Sequence, residues 1–170
     1  MKLTFVNNKI MEQISIDEID IKLLNALQDD AAPSNQALAA RVHVSPPTCL
    51  RRVKRLRDAG FIEREIAVLS PDKLAVLLGH GLTAIVQITL DRQAAEQLDA
   101  FEQRAVLDAD VQQCYRVSPG PDFVLLVHVM DMPGYQALAQ RLFTSDANVR
   151  NVKAFFSTKR AKFEPKVLLS

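Results

Sequence analysis

The spacing of apolar residues changes once along this chain, at Gly79-His80-Gly81, and that change imposes two units of different architecture. Before it, apolar positions recur every three or four residues, the period of a helix face. After it, Leu82 to Leu90 alternates with period two, as a half-buried strand must. A helix-period segment does not settle as a strand, nor the reverse, so a uniform all-α or all-β fold is excluded. The expectation is α+β: a helical unit over residues 16–70, a linker or hinge over 71–80, and a sheet-containing unit over 81–170. Residues 1–15 show no clear period and are expected to form a tail. With 48% hydrophobic residues, the 170-residue chain can bury a core in each unit.

Three helices are expected in the first unit. Ser15-Ile16-Asp17-Glu18 has capping-box form, and Ile19, Leu23 and Leu27 follow at a spacing of four, giving a helix to about Gln28. Asp29 to Pro33 breaks it. Ser34 can cap a short second helix with Leu38, Ala39 and Val42 inward. His43-Val44 is a tight connection, Ser45 an N-cap, and Pro46 a first helical residue whose missing N–H costs nothing. Cys49, Val53 and Leu56 then form one stripe, and Gly60 supplies a left-handed stop. Phe61 to Leu69 is β-prone and reads as a wing or hairpin closed by a turn at Ser70-Pro71-Asp72.

In the second unit, strands over 82–90, 111–117, 123–130 and 149–159 alternate with helices over 92–106 and 133–144. The order βαββαβ is the ferredoxin-like arrangement, an antiparallel sheet with two helices on one face. Its uncovered face usually needs a partner.

Three short helices, the last two joined by a tight turn, follow the helix-turn-helix plan, whose later helix enters the major groove of double-stranded DNA. Net charge is only +1, so affinity for DNA has to come from a local patch. That patch is present: Arg41, Arg51, Arg52, Lys54, Arg55, Arg57 and Arg64 stand against Asp58 and Glu63 between residues 41 and 64. At about 100° per residue, the face opposite Cys49, Val53 and Leu56 carries Thr48, Arg51 and Arg55, flanked by Arg52 and Lys54. Arginine there can fork to guanine or phosphate, while Arg41 and Arg64 are placed to hold phosphates. A basic helix face is often merely solvated. Its position on the third helix, after a capped turn, favours the DNA reading.

Other chemistries find little support. Cys49 and Cys114 lie in periodic apolar segments and read as reduced core thiols. His43, His80 and His128 lack companion ligands at metal-site spacing, and no nucleophile motif is present. No metal, cofactor or catalytic residue is therefore expected. Leu74 to Leu90 is interrupted at Gly79-His80-Gly81 and is too short to span a bilayer, and the first residues lack secretory-signal form, so a cytoplasmic location is expected.

Ile19-Asp20-Ile21-Lys22-Leu23-Leu24, Ser45-Pro46-Pro47-Thr48-Cys49-Leu50-Arg51-Arg52-Val53-Lys54-Arg55-Leu56 and Gly60-Phe61-Ile62 resemble the DNA-binding signature of the leucine-responsive and asparagine-responsive feast/famine regulators. The resemblance covers roughly residues 16–167. It implies a second domain that dimerises sheet to sheet, assembles further, and binds an amino acid or related metabolite between subunits. By the same resemblance, Pro119, Gly120, Pro121 and Asp122 occupy the effector loop, with Met132, Phe155 and Ser157 completing the effector region; Phe123, Tyr135 and Phe156 also match. Asp122 suits an ammonium group, but it can equally accept turn hydrogen bonds. The family usually has glycine directly after the Ser of this loop. Here Pro119 stands there, and a carboxylate cradle of backbone N–H groups would lose donors at Pro119 and Pro121. Sirohaem decarboxylases resemble the same architecture; for them basic residues such as Arg116 and His128 would have to share a cavity. An oligomeric sensor acting through protein partners is the third reading.

Overall fold

A computed structural model describes residues 15–169; apart from Ser15, the expected tail lies outside the described residues. The chain divides into two compact units. One holds the described residues up to Ala67 together with those from Phe163 onward, and the other spans Val68–Lys162.

The first unit contains α1 (Glu18–Asp29), α2 (Asn35–Arg41) and α3 (Pro46–Asp58). The capping box lies two residues beyond its expected place. Asp17 accepts the Asp20 N–H at 2.9 Å, and Asp20 accepts the Asp17 N–H at 3.2 Å. A carboxylate at the N-cap also meets the positive end of the helix dipole, an advantage the Ser15 hydroxyl lacks. Ser34 caps α2 as expected, accepting the Ala37 N–H at 3.2 Å. The chain then turns through His43 at φ 57°, closed by hydrogen bonds from Val44 N–H to Ala39 O and from His43 N–H to Ala40 O. That left-handed residue closes a Schellman motif without glycine.

Ser45 precedes α3 but does not cap it with its side chain. Pro46 and Pro47 leave the first two helical positions without an N–H. The Ser45 hydroxyl instead donates to Thr48 Oγ1 at 2.8 Å. At the other end Gly60, at φ 79°, permits a Schellman closure through Phe61 N–H to Leu56 O. Leu23, Ala26, Leu38, Ala39, Val42, Cys49, Val53 and Leu56 form the core, which includes the stripe that the spacing predicts on α3.

Two expectations around the linker are corrected. Phe61–Leu69 forms no strand, and Ile66, Val68 and Leu69 stand exposed. Its alternation is real, but no other described segment offers it a ladder, and a strand without a partner is not stable. Residues 71–78 are not extended linker but α4 (Pro71–Leu78), capped by Ser70 and stopped by Gly79 at φ 80°. Ser-Pro opens a helix here as it does at Ser45-Pro46, so the turn reading of Ser70-Pro71 was the wrong choice between two valid ones.

The second unit continues with β1 (Leu82–Leu90), α5 (Ala95–Leu107), β2 (Val111–Arg116), β3 (Phe123–Val129), α6 (Met132–Ala139) running into a π turn over Gln140–Thr144, and β4 (Val149–Phe156). The antiparallel sheet has the order β2-β3-β1-β4, the ferredoxin-like arrangement. Ala84, Val86, Ile88 and Leu90 pack with Phe123, Leu125, Val127 and Val129 against Phe101, Ala105, Leu138, Leu142 and Phe143 of the helical layer. The alternate residues lie on the open face, where Ile85 stands opposite Leu126 on one side and Phe155 on the other.

Candidate nucleic-acid interface and effector face

Asp20 sets the orientation of α3. Its side chain is fully buried, and its two carboxylate oxygens receive Arg52, at 2.9 Å, and Arg55. Arg52 also reaches Asp17 at 2.7 Å. The Asp20 N–H bond and the Arg52 guanidinium hold the Asp17 carboxyl below its ordinary pKa, and the paired carboxylates keep Arg52 more firmly protonated. Arg52 and Arg55 therefore face α1, and the outward stripe moves around the helix. It consists of Pro47, Leu50, Arg51 and Lys54, at helical spacings i, i+3, i+4 and i+7, all exposed.

The expected DNA-binding residues thus separate into groups. Arg51 and Lys54 are exposed and have no ion pair among the described residues. Arg64 is exposed on the irregular segment after α3. Ser45 and Thr48 engage each other at the N-terminus of α3. Arg55, expected at the centre of the outward face, and Arg52, expected at its flank, are both held by the buried Asp20 carboxylate. Arg41 pairs with Asp29, which also receives Lys166 at 3.0 Å.

The sequence reading did not include as site residues Asp17 and Asp20, which hold the arginines of α3. The signal for Asp20 was available: it falls three residues before Leu23 on the apolar stripe of α1, and a carboxylate there needs a buried cation. Leu50 carried the opposite signal, an apolar residue off the stripe.

The effector candidates fall into two groups along one sheet. In the 118–122 loop, the Ser118–Pro119 peptide is cis and Gly120 has φ 124°, a conformation that favours glycine. Asp122 donates its N–H to Ile88 O at 2.8 Å and accepts the Leu90 N–H at 2.7 Å, so one carboxylate oxygen is already committed to the loop's attachment. Pro119 and Gly120 are exposed and Pro121 is half-buried. Phe155, by contrast, pairs with Ile85, and Ser157 donates its N–H to Thr83 O at 2.8 Å. Met132 opens α6 just beyond Val129, which is near Leu82 in the β1–β3 register. Along β1, at about 3.3 Å per residue, Asp122 at Ile88 and Leu90 stands about 10–17 Å from Phe155 at Ile85 and farther from Ser157 at Thr83.

Arg116 and His128 do not converge on a cavity. Arg116 pairs with Asp99 and Glu102 of α5 and stands over the Phe123 ring on the helical side. His128 lies on the open face near the other end of β3, 2.9 Å from Thr83 Oγ1.

Comparison with known proteins matches both units. Residues 16–63 fit the family model for winged helix-turn-helix DNA binding, and residues 83–167 fit that of the Lrp/AsnC ligand binding domain. An uncharacterised HTH-type transcriptional regulator of Haemophilus influenzae is 33% identical over 98% of this chain and 96% of its own length. The leucine-responsive regulatory protein of Escherichia coli is 37% identical over 78% of this chain and 79% of its own. A transcriptional regulator of Neisseria meningitidis, solved as its L-Met complex, superposes with a TM-score of 0.78 at 29% identity, covering 91% of this chain and 97% of that one. With a three-helix DNA-binding unit and a ferredoxin-like unit in the same order and over nearly the full length of such relatives, the chain belongs to the Lrp/AsnC family of DNA-binding transcriptional regulators.

Proposed function

We propose that this regulator seats α3 in the major groove with Arg51 and Lys54 as its principal contacts. Ser45 and Thr48 assist at the N-terminus of the helix, and Arg64 and Arg41 hold phosphates, Arg41 after exchanging Asp29 for DNA. Arg52 and Arg55 serve chiefly to fix the helix to α1. The observation carrying this reading is the contrast on one helix between two arginines held by Asp20 and two exposed cations on the outer stripe with no ion pair among the described residues. An unpaired cation gains a phosphate or base without first losing a protein partner.

The chain acts as a homo-oligomer joined through the open sheet face, and its effector is an amino acid or a related small metabolite held between subunits. The relative solved with L-Met and those named leucine-responsive support that ligand class. The separation of the effector residues along the sheet supports the subunit boundary, since a neighbouring copy can bring the other group closer. This activity belongs in the cytoplasm, where DNA is, and needs no catalytic residue; no helix among the described residues is long and apolar enough to cross a membrane.

Selection of binding sites from a pool of random-sequence duplexes by the full chain tests this reading. Two half-sites about 10–10.5 base pairs apart, or a multiple, are expected from a symmetric dimer. Recovery of a single unpaired half-site, or of no sequence at all, would contradict it.

A further inference from the structure

Leu50 is a large apolar residue off the buried stripe of α3. It is 60% exposed, on the outer stripe of α3, while the core of its unit is filled by other residues of the same helix. Its neighbours on the stripe are Pro47 three residues before it, and Arg51 and Lys54 after it, the two cations without ion pairs among the described residues. An apolar side chain beside such cations suits a surface that presents negative charge and, within it, a small apolar group. Major-groove DNA is such a surface: phosphates line it, and each thymine projects a C5-methyl group. Leu50 is also the fifth residue of α3, in the N-terminal half that meets base edges when such a helix enters the groove. Leucine has no donor or acceptor, so the methyl group is the base feature it can recognise.

We infer that Leu50 is a specificity-determining residue that reads a thymine methyl group, while Arg51 and Lys54 supply neighbouring polar and phosphate contacts. This rests on the reading of α3 as the DNA-contacting helix and adds the base it prefers at one position. Recognition at Leu50 is by shape and apolar burial. It is therefore expected to be insensitive to salt, unlike the contribution of the two cations.

The test uses the full chain and a half-site recovered from random-sequence duplex, with each thymine replaced in turn by deoxyuridine, which keeps the Watson–Crick edge and lacks only the methyl group. At one thymine per half-site the unaltered protein is expected to lose roughly fourfold in affinity, the worth of burying one methyl-sized group. Leu50→Ala should bind the thymine duplex weakly by that same factor and show no further loss with deoxyuridine. Because Leu50 is exposed, the melting temperature of the variant should stay unchanged. No loss at any thymine with the unaltered protein, or an undiminished loss in Leu50→Ala, overturns the inference while leaving DNA binding intact. If no duplex is selected, the DNA reading itself fails and this inference with it.

Discussion

Two buried or nearly buried carboxylates show how single residues organise each unit. Asp20 is wholly inaccessible, yet both of its arginine partners reach solvent, so the cluster pins α3 without sealing charge away from water. Asp20→Asn should lower stability by about 2–3 kcal/mol, less than for a dry ion pair because the arginines can be rehydrated. It should also weaken DNA binding, since α3 loses its anchor; urea unfolding and a duplex titration of the same sample would measure both. Asp108, 9% exposed at its side chain, is held by Arg141, whose hydrogen bonds keep its carboxyl below the ordinary 3.8. A depressed carboxyl adds stability above its unfolded pKa and loses it as pH falls through the folded one. Arg141→Ala should therefore melt below the unaltered protein at pH 7, and that difference should shrink as pH drops below about 3.8. A difference that persists undiminished at pH 2 would mean that Arg141 stabilises by packing alone.

At the scale of elements, hydrophobic period and end signals located every helix and strand of the two cores. They failed where those signals are degenerate. β1 falls over Leu82–Leu90 as expected because it is central, with strands on both sides and one face buried. The stretch at Ile66-Val68 has the same alternation but no partner, and a sequence window cannot reveal whether a ladder is available. Ser-Pro is likewise a turn or a helix start, and only the apolar packing that follows decides. On α3, helical spacing put Arg55 opposite the core stripe with Arg52 beside it, and did not reveal their pairing with α1. The missing information was Asp20, a contact 32 residues away from Arg52. The chain's C-terminal segment also escaped notice, because its attachment has no period. Gln28 donates to Val167 O at 3.0 Å and accepts the Val167 N–H at 2.6 Å, and Asn25 donates to Leu169 O. Gln28→Ala should release this segment at a cost of about 1 kcal/mol, seen as faster hydrogen exchange at the Val167 amide. Unchanged exchange there would show that Lys166 and the apolar residues hold the segment by themselves.

For the whole molecule, the family assignment joins a DNA-binding unit to a sheet whose second face is uncovered in a single copy. Ile85, Tyr115 and Phe155 are exposed on that face, with Val124 and Leu126 between them. A second copy seated there would remove this apolar area from water. Leu126→Asp, placing a charge in the centre of the face, should convert the assembly to monomer in sedimentation velocity and reduce affinity for paired half-sites far more than for one half-site. An assembly of unchanged size would place the subunit contact elsewhere. The role of the outer stripe of α3 is decided by a duplex titration of Arg51→Ala/Lys54→Ala across a range of salt concentrations. The double variant should keep its melting temperature, lose at least about tenfold in affinity, and show a salt slope shallower by about one for each phosphate contact removed. Unchanged affinity and slope would contradict the account and remove that stripe from the DNA interface.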